Sequence, residues 1–323
     1  MRIPRATALV SWMMTLIAAL TATISARAQV VAEELNRMDR SQLSKTLSPS
    51  ATAYFEFPVQ RLKEVVPALK GIKYDDNQQR LAPVLSGVAA RIGDVLPRLP
   101  NLISREDVYH FQSTPDPAAG GGLAGTQPWS REFRYLIVPH RAADGTTMLE
   151  ESRVDSKGRP AESSVEFSAP RGYGFAYQWL FFSAAFQPQF RFRYLGEQDK
   201  NGRKTFVVAF MQVPEKVSHP AQFLSDGKEA PFYFQGVLWV DQTSFDIVMV
   251  RTDLLAPLAD LHLRQLTTQL TFKSVAIRGN NAVFWLPSEA YISSDQGAGV
   301  AEESHRYSDY HLYQATARVV ATP

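Results

Sequence analysis

Residues Gln235 to Leu255 constrain this fold more than any other stretch of the chain. They read GVLWVD after Gln235, a short polar turn at Gln242–Ser244, then FDIVMVRTDLL. As two extended segments they point Val237 and Trp239 one way and Leu238 and Val240 the other. Across the turn, Ile247 and Met249 oppose Val248 and Val250. A strand that is apolar on both faces is covered on both faces. The stretch therefore predicts a β-hairpin in the middle of an antiparallel sheet, with material packed on each side.

Turn signals recur on both sides of this hairpin at the spacing of an antiparallel meander. REDVYHFQS (105–113) reads as the first strand of the main sheet. FRYLIVPH is closed by Asp144-Gly145, and the strand after it by Ser156-Lys157-Gly158. FRFRYLGEQ and TFVVAFMQV flank Asn201-Gly202, a strong hairpin signal. LTTQLTFK alternates Leu266, Leu270 and Phe272 with Thr267, Gln269, Thr271 and Lys273, and VFWLP and HRYSDYHLYQATARVV close the chain. About ten strands in succession, with few helices among them, predict one large antiparallel sheet, strongly curved or partly closed. Between Pro115 and Pro128 the composition is that of a flexible Gly/Pro-rich loop, residues 114–128, which could act as a lid.

The first hundred residues follow different rules. Arg2 and Arg5 precede an uncharged run from Ala6 to Thr23, and Ala26-Arg27-Ala28 ends it as A-x-A, the pattern of a signal peptide over residues 1–28. With 34 Lys and Arg against 32 Asp and Glu the net charge is +2; losing Arg2, Arg5 and Arg27 makes it −1. No basic cluster or stripe suggests a nucleic-acid partner. The chain has no cysteine, which excludes a lipoprotein anchor, disulfides and thiolate chemistry. Residues 29–104 read as a helical segment: a polar helix over Ala32–Leu47, a second with Leu62, Val65, Val66 and Leu69 on one face, and a third with Leu81, Leu85, Val88, Ile92 and Leu96 on one stripe. Residues 105–323 form the β domain, against which this layer is expected to pack.

One apolar segment interrupts the strands. Phe175, Trp179, Phe182 and Phe186 fall at helical spacing, and Tyr177, Leu180 and Phe181 occupy the other side. A helix that is apolar all round is buried in protein or faces a membrane, and this one is too short to span. It is expected to fill the concave side of the sheet. The fold class is thus α+β: a large curved antiparallel sheet, a helical N-terminal layer, and one apolar helix on the concave side.

Motifs that would carry catalysis are absent: no G-x-S-x-G, phosphate loop, H-E-x-x-H or dinucleotide fingerprint occurs. Glu150 and Glu151 are adjacent carboxylates, but on a strand they point to opposite faces, which suits a solvated edge or an arginine partner. His305, Tyr307, Asp309 and His311 share one strand face. His305 and His311 stand roughly 20 Å apart at strand rise, too far for one metal ion, so the set reads as a polar outer face. No cofactor or metal is expected. The aromatic set Phe175, Trp179, Phe182, Phe186, Trp239 and Trp285 could instead line an apolar pocket, since such pockets are concave and aromatic.

The segment from Trp239-Val240-Asp241 through Ile247-Val248 and Val275 to Trp285-Leu286-Pro287 resembles the late strands of the outer-membrane lipoprotein-sorting (LolA-like) proteins over roughly residues 235–294. There a strand ending in W-[IV]-D leads into one with I-V-x-[VI], and a strand pair ending in W-x-P follows. The closing HRYSDYHLY is similar to the end of uncharacterised exported bacterial proteins. The resemblance implies a half-barrel wrapped on a helical layer, with a hydrophobic cavity for acyl chains. The expectation is an exported, periplasmic, non-enzymatic protein that binds a lipid or lipoprotein acyl chain. The alternative is an envelope interaction module with a filled core and a protein partner. The leader reading has a direct check: mass spectrometry of the exported protein should show Gln29 as its first residue, and an intact Met1 in the membrane fraction would overturn it.

Overall fold

The computed structural model describes residues 54–116, 122–125, 128–142, 145–160, 174–217, 220–225, 228–277, 283–297 and 299–313. The leader and the helix expected over Ala32–Leu47 lie outside them. The described chain begins with helix α1 (Val59–Val65), the two-residue strand β1 (Lys73–Tyr74) and helix α2 (Leu81–Val95). Four strands follow, β2 (Leu102–Asp116), β3 (Gly122–Gly125), β4 (Trp129–Arg141) and β5 (Thr147–Val154). After the aromatic segment come β6 (Phe190–Lys200), β7 (Arg203–Gln212), the small β8–β9 hairpin (Ala221–Ser225, Lys228–Phe232), β10 (Phe234–Asp241), β11 (Ile247–Leu254), β12 (Gln265–Ala276), β13 (Val283–Asp295) and β14 (Val300–Leu312).

Apart from β8 and β9, the strands form one antiparallel sheet in the order β1-β6-β7-β10-β11-β12-β13-β14-β2-β4-β5, with β3 added to the end of β2. The sheet is open and curved as a half-barrel. The β10–β11 hairpin lies inside it, between β7 and β12. The Asn201-Gly202 turn joins β6 to β7 with φ of 51° and 75°, positive at both residues as the tight hairpin requires. β14 returns to pair with β2, so the last strand among the described residues lies against the first long one; the rest of the expected closing strand, beyond Tyr313, lies outside the described residues. Part of the region read as a loop, residues 114–128, is strand: β2 runs on to Asp116 and pairs with β3, while 117–121 and 126–127 lie outside the described residues.

Both faces of the central hairpin are covered, by different parts of the N-terminal segment. On one face Val237, Trp239 and Met249 pack with Leu195, Val207 and Ala209 beneath Leu62, Val65, Val66 and Leu69. The face predicted for α1 is thus the buried one, although Pro67 stops the helix and leaves Leu69 in a 3-10 turn. This cover is fixed by polar side chains from the sheet. Gln198 donates to the carbonyls of Ala68 and Lys70 at 3.0 and 2.8 Å and accepts from Trp239 Nε1 at 2.8 Å, so the buried indole N–H has its partner. Arg251, paired with Asp253, donates to the Val65 carbonyl at 3.3 Å.

The opposite, concave face carries the larger core. Leu238, Val240, Val250, Leu266 and Leu270 meet Val84, Val88, Ile92 and Val95 of α2, together with Phe223 and Phe232 of the β8–β9 hairpin. The buried stripe of α2 is thus turned by one residue from Leu81 and Leu85 toward Val84. Gly87 lies so close to the Phe245 ring that a Cβ would overlap it. The apolar segment sits on this face too, but as a 3-10 helix over Tyr177–Phe182 rather than an α-helix to Phe186. Among the described residues no helix is long and apolar enough to cross a membrane.

Trp239 has no exposed surface and anchors the smaller core. Trp239→Ala should lower the unfolding free energy by about 3–5 kcal/mol, the range for truncating a buried large aromatic. Denaturant titration checks this, and an unchanged midpoint would contradict the central placement of the hairpin.

Candidate functional site

At the junction of β14 with β2, the concave face changes from apolar to ionic. Antiparallel register sets Glu303 opposite His110 and Tyr307 opposite Glu106, with His305 between them. The neighbouring strands add Tyr135 opposite Ser104, and Arg153 opposite Tyr135. All these side chains share one face because each alternates with an outward residue. Glu106, Glu303 and His305 are at most 1% exposed.

The bonds form a continuous chain. Arg153 Nε donates to Glu106 Oε2 at 2.6 Å. Glu106 Oε1 accepts from Tyr307 OH at 2.8 Å and lies 2.8 Å from His305 Nδ1. His305 Nε2 lies 3.2 Å from Glu303 Oε2, and Glu303 Oε1 lies 3.2 Å from His110 Nδ1. Rings enclose the charges: Trp129 stacks on His110 at 4.9 Å, Phe175 meets His305 edge-on at 5.0 Å, and the Arg153 guanidinium sits 5.2 Å from the ring centres of both Tyr135 and Phe175.

Charges this deep are tolerable only when paired and hydrogen-bonded. Burial would raise Glu106, but Arg153 and His305 outweigh it and hold its carboxyl at about 2. Glu303 is held at about 2 in the same way, burial being overcome by His110 and His305. Burial alone would lower His305, yet its two carboxylate partners hold it above the ordinary histidine value. An imidazole with a carboxylate on each nitrogen donates from both, so neither nitrogen keeps a lone pair for a metal. Among the described residues no group of three or more His, Asp or Glu side chains is arranged to hold one. Near neutral pH Glu106, Glu303 and Arg153 are therefore charged.

Glu151 differs. Burial pushes its carboxyl up to about 7, despite the backbone N–H groups of Ala176 and Tyr177 that donate to it. Tyr135 OH also donates to it. The expected split of the acidic pair is present, with Glu150 exposed and Glu151 turned inward. Glu151 serves neither a solvated edge nor an arginine: Arg153 is committed to Glu106, and Glu151 holds the start of the aromatic segment.

The predicted histidine face needs the opposite correction. His305 and Tyr307 point into the interior, not outward. Asp309 adopts φ of 54°, the register shifts between Ser308 and His311, and Tyr310 turns inward to donate to the Pro287 carbonyl at 2.8 Å. His311 is thereby separated from His305, its Nδ1 lying 2.8 Å from the Asp309 carbonyl. Of the aromatic set, Phe175, Trp179 and Phe182 are buried on the concave face, with Phe186 and Trp285 packed at its margin. Trp239 stands on the opposite face, because it alternates with Leu238 and Val240. Glu106, His110, Tyr135, Arg153 and Glu303 join this site without a sequence motif to mark them. The available signal was parity: Glu106 and His110 on one strand, and Glu303, His305 and Tyr307 on another, are spaced by even numbers.

No protein-family model and no curated protein matches this chain. Among solved structures it is similar to a DUF1329 family protein from Desulfovibrio piger ATCC 29098, at 13% identity over 73% of this chain and 95% of that one, with a TM-score of 0.38. It is also similar to a putative outer membrane lipoprotein-sorting protein domain from Vibrio parahaemolyticus, at 14% identity over 72% and 93% of the chains, with a TM-score of 0.36. A chain of the Pseudomonas aeruginosa MucA/MucB complex shows 9% identity over 72% and 99%, with a TM-score of 0.16.

Removing one partner from a buried ion pair typically costs about 3–5 kcal/mol, so Glu303→Ala, which leaves His305 only Glu106 and takes the carboxylate from His110, should destabilise the protein by up to that order at pH 6. The carboxylate contributions are present above the ordinary value of 4.5 and are lost as pH falls through about 2. The His305 contribution is present below 6.5 and is lost as pH rises through its elevated folded value. Denaturant midpoints of the wild type minus those of a Glu106→Gln, Glu303→Gln, His305→Gln variant should plateau between those limits. A pH-independent difference would show that the network is not ionised.

Proposed function

We propose that this is an exported, non-enzymatic protein of the cell envelope that binds a lipid or another apolar ligand on the concave face of its half-barrel. The observation that carries the reading is the way that face is roofed. Phe182 packs on Phe210 with ring centres 5.1 Å apart, Phe181 on Phe234 at 5.0 Å, and Phe190 and Phe192 adjoin them. Their cover over residues 174–189 consists of 3-10 helices and turns and contributes no strand to the sheet. An apolar ligand can lie beneath such a cover, which lifts without breaking a β-ladder.

The leader pattern supports export, and the resemblance over residues 235–294 supports an acyl-chain ligand. In this reading Phe175, Trp179, Phe182 and Phe186 line the ligand, with Trp285 at the margin; Trp239 takes no part. One observation favours the second reading, an interaction module with a protein partner: the rings of Phe181, Phe182, Phe190, Phe210 and Phe234 pack directly on one another across that face.

Titration with a fluorescent fatty acid separates the two. Each buried methylene contributes about 0.8 kcal/mol, so a long acyl chain should bind at about micromolar concentration after ordering costs. Trp179→Ala should weaken that binding, and lipid should be extractable from protein purified out of its native envelope. Absence of both saturable binding and extracted lipid would overturn the carrier reading and leave the interaction module.

A further inference from the structure

One carboxyl group holds the start of the roof over the concave face. Glu151, on the edge strand β5, accepts Ala176 N–H through Oε2 at 3.0 Å and Tyr177 N–H through Oε1 at 2.5 Å. Tyr135 OH donates to the same Oε2, and Ala176 N–H also reaches the Tyr135 hydroxyl oxygen at 3.2 Å. Gly174 lies so close to the carboxyl group that a Cβ there would overlap it. The far end of the roof is fixed by neutral groups. Gln187 Nε2 donates to the carbonyls of Leu85 and Phe182 at 2.9 and 2.8 Å, and Val213 N–H donates to the Gln189 carbonyl at 2.9 Å.

We propose that Glu151 is the latch of a lid: residues 174–186 pivot about Gln187–Gln189 to uncover the concave face, and protonation of the Glu151 carboxyl decides whether the lid is held. The proposal rests on the reading of that face as a ligand site and adds its regulation. In water alone the closed lid is strongly favoured, because Phe175, Trp179, Phe181 and Phe182 would lose their apolar surroundings. An apolar ligand that takes over those surroundings removes most of that cost, and the latch then sets the balance.

The direction of the switch follows from the groups around the carboxyl. Tyr135 faces it from β4, Arg153 from its own strand, Glu106 from β2, Tyr310 from β14 and Tyr177 from the lid, which has no charged side chain between Gly174 and Phe186. Arg153 is already paired with Glu106, itself a negative charge. A neutral Glu151 can accept Tyr177 N–H on its carbonyl oxygen and donate its own proton to the Tyr135 oxygen. An ionised Glu151 is poorly solvated there and lies near the negative charge of Glu106. The closed site therefore holds the proton more tightly than an exposed glutamate does, consistent with the rise from 4.5 to about 7. By linkage, acid holds the lid closed and ionisation above neutrality favours opening.

Hydrogen–deuterium exchange of the purified protein tests this, with rates corrected for intrinsic exchange and the β10–β11 hairpin as internal reference. Protection of residues 174–186 should fall about tenfold or more between pH 6 and pH 8.5 in the wild type. Glu151→Gln, which mimics the neutral acid, should stay protected at both values. Glu151→Ala and Gly174→Ala should be less protected than the wild type at pH 6, and equally so at both values, with the hairpin unchanged. Fluorescent fatty acid should load faster at pH 8.5 than at pH 6 in the wild type, and at one rate in Glu151→Gln. Wild-type protection of the lid in Glu151→Ala, or protection independent of pH in the wild type, would overturn the latch even if fatty acid binds. The expected exchange pattern with no fatty-acid binding in any variant would support the latch and overturn the ligand reading instead.

Discussion

The β2–β14 ladder is the contact on which the rest of this sheet depends. It joins β2, β4 and β5 to the longer run from β6 to β14, and it does so through residues nearly the whole length of the β region apart. Backbone bonds alone do not choose the register of such a pairing; side chains do. Here the choice is ionic. A one-residue slip would turn either Glu106 and His110 or Glu303 and His305 out of the interior, and would separate the pairs that cross the seam, His305 with Glu106 and Glu303 with His110. Pairs of this kind are weak evidence for net stability against an apolar filling, but they penalise misalignment heavily. The network acts as a registration device at the seam, while the apolar face of β10, β11 and β12 supplies the hydrophobic stabilisation.

The two covers of the sheet differ in how they are fastened. The segment from Tyr54 to Ile72 is fixed by side chains from strand interiors: Gln235 accepts Tyr54 N–H at 2.6 Å, Gln198 takes two carbonyls, and Arg251 takes a third. These partners are neutral amides or a guanidinium charged throughout the physiological range. The aromatic segment on the concave face begins at a carboxyl group that changes charge near neutrality. The two faces of one sheet therefore have a permanent cover and a conditional one.

Much of this architecture was legible in the sequence where short-range rules suffice. The doubly apolar hairpin, the Asn201-Gly202 turn, the buried face of α1 and the split of Glu150 from Glu151 all follow from side-chain alternation or helical spacing, and each is present. The ionic site was not legible, although its parity was. Alternation says which residues share a face, but polarity ordinarily assigns the polar face to water. Only the pairing of β14 with β2 reveals that His305 meets Glu106, and local sequence does not encode that partner. The aromatic segment failed for another reason. With apolar residues on every side between Gly174 and Phe186, periodicity cannot separate an α-helix from a chain of 3-10 turns. Trp239 stands apart from the concave aromatics because alternation separates it from Leu238 but does not say which of the two faces holds the aromatic segment.

The position of the last strand also governs the order in which the molecule can be completed. β2, β4 and β5 form a local meander, available as soon as they are synthesised, yet the inner edge of β2 has no partner until residues 300–312 arrive. Non-local pairing of this kind is slow, and an unpaired strand edge invites association between chains in the interval. Among the residues waiting on β2 are Glu106 and His110, hydrated while the edge is open, beside the apolar Leu102 and Val108. The charges that align the finished sheet would thus keep its unfinished half soluble, and their desolvation is deferred to the final step of folding.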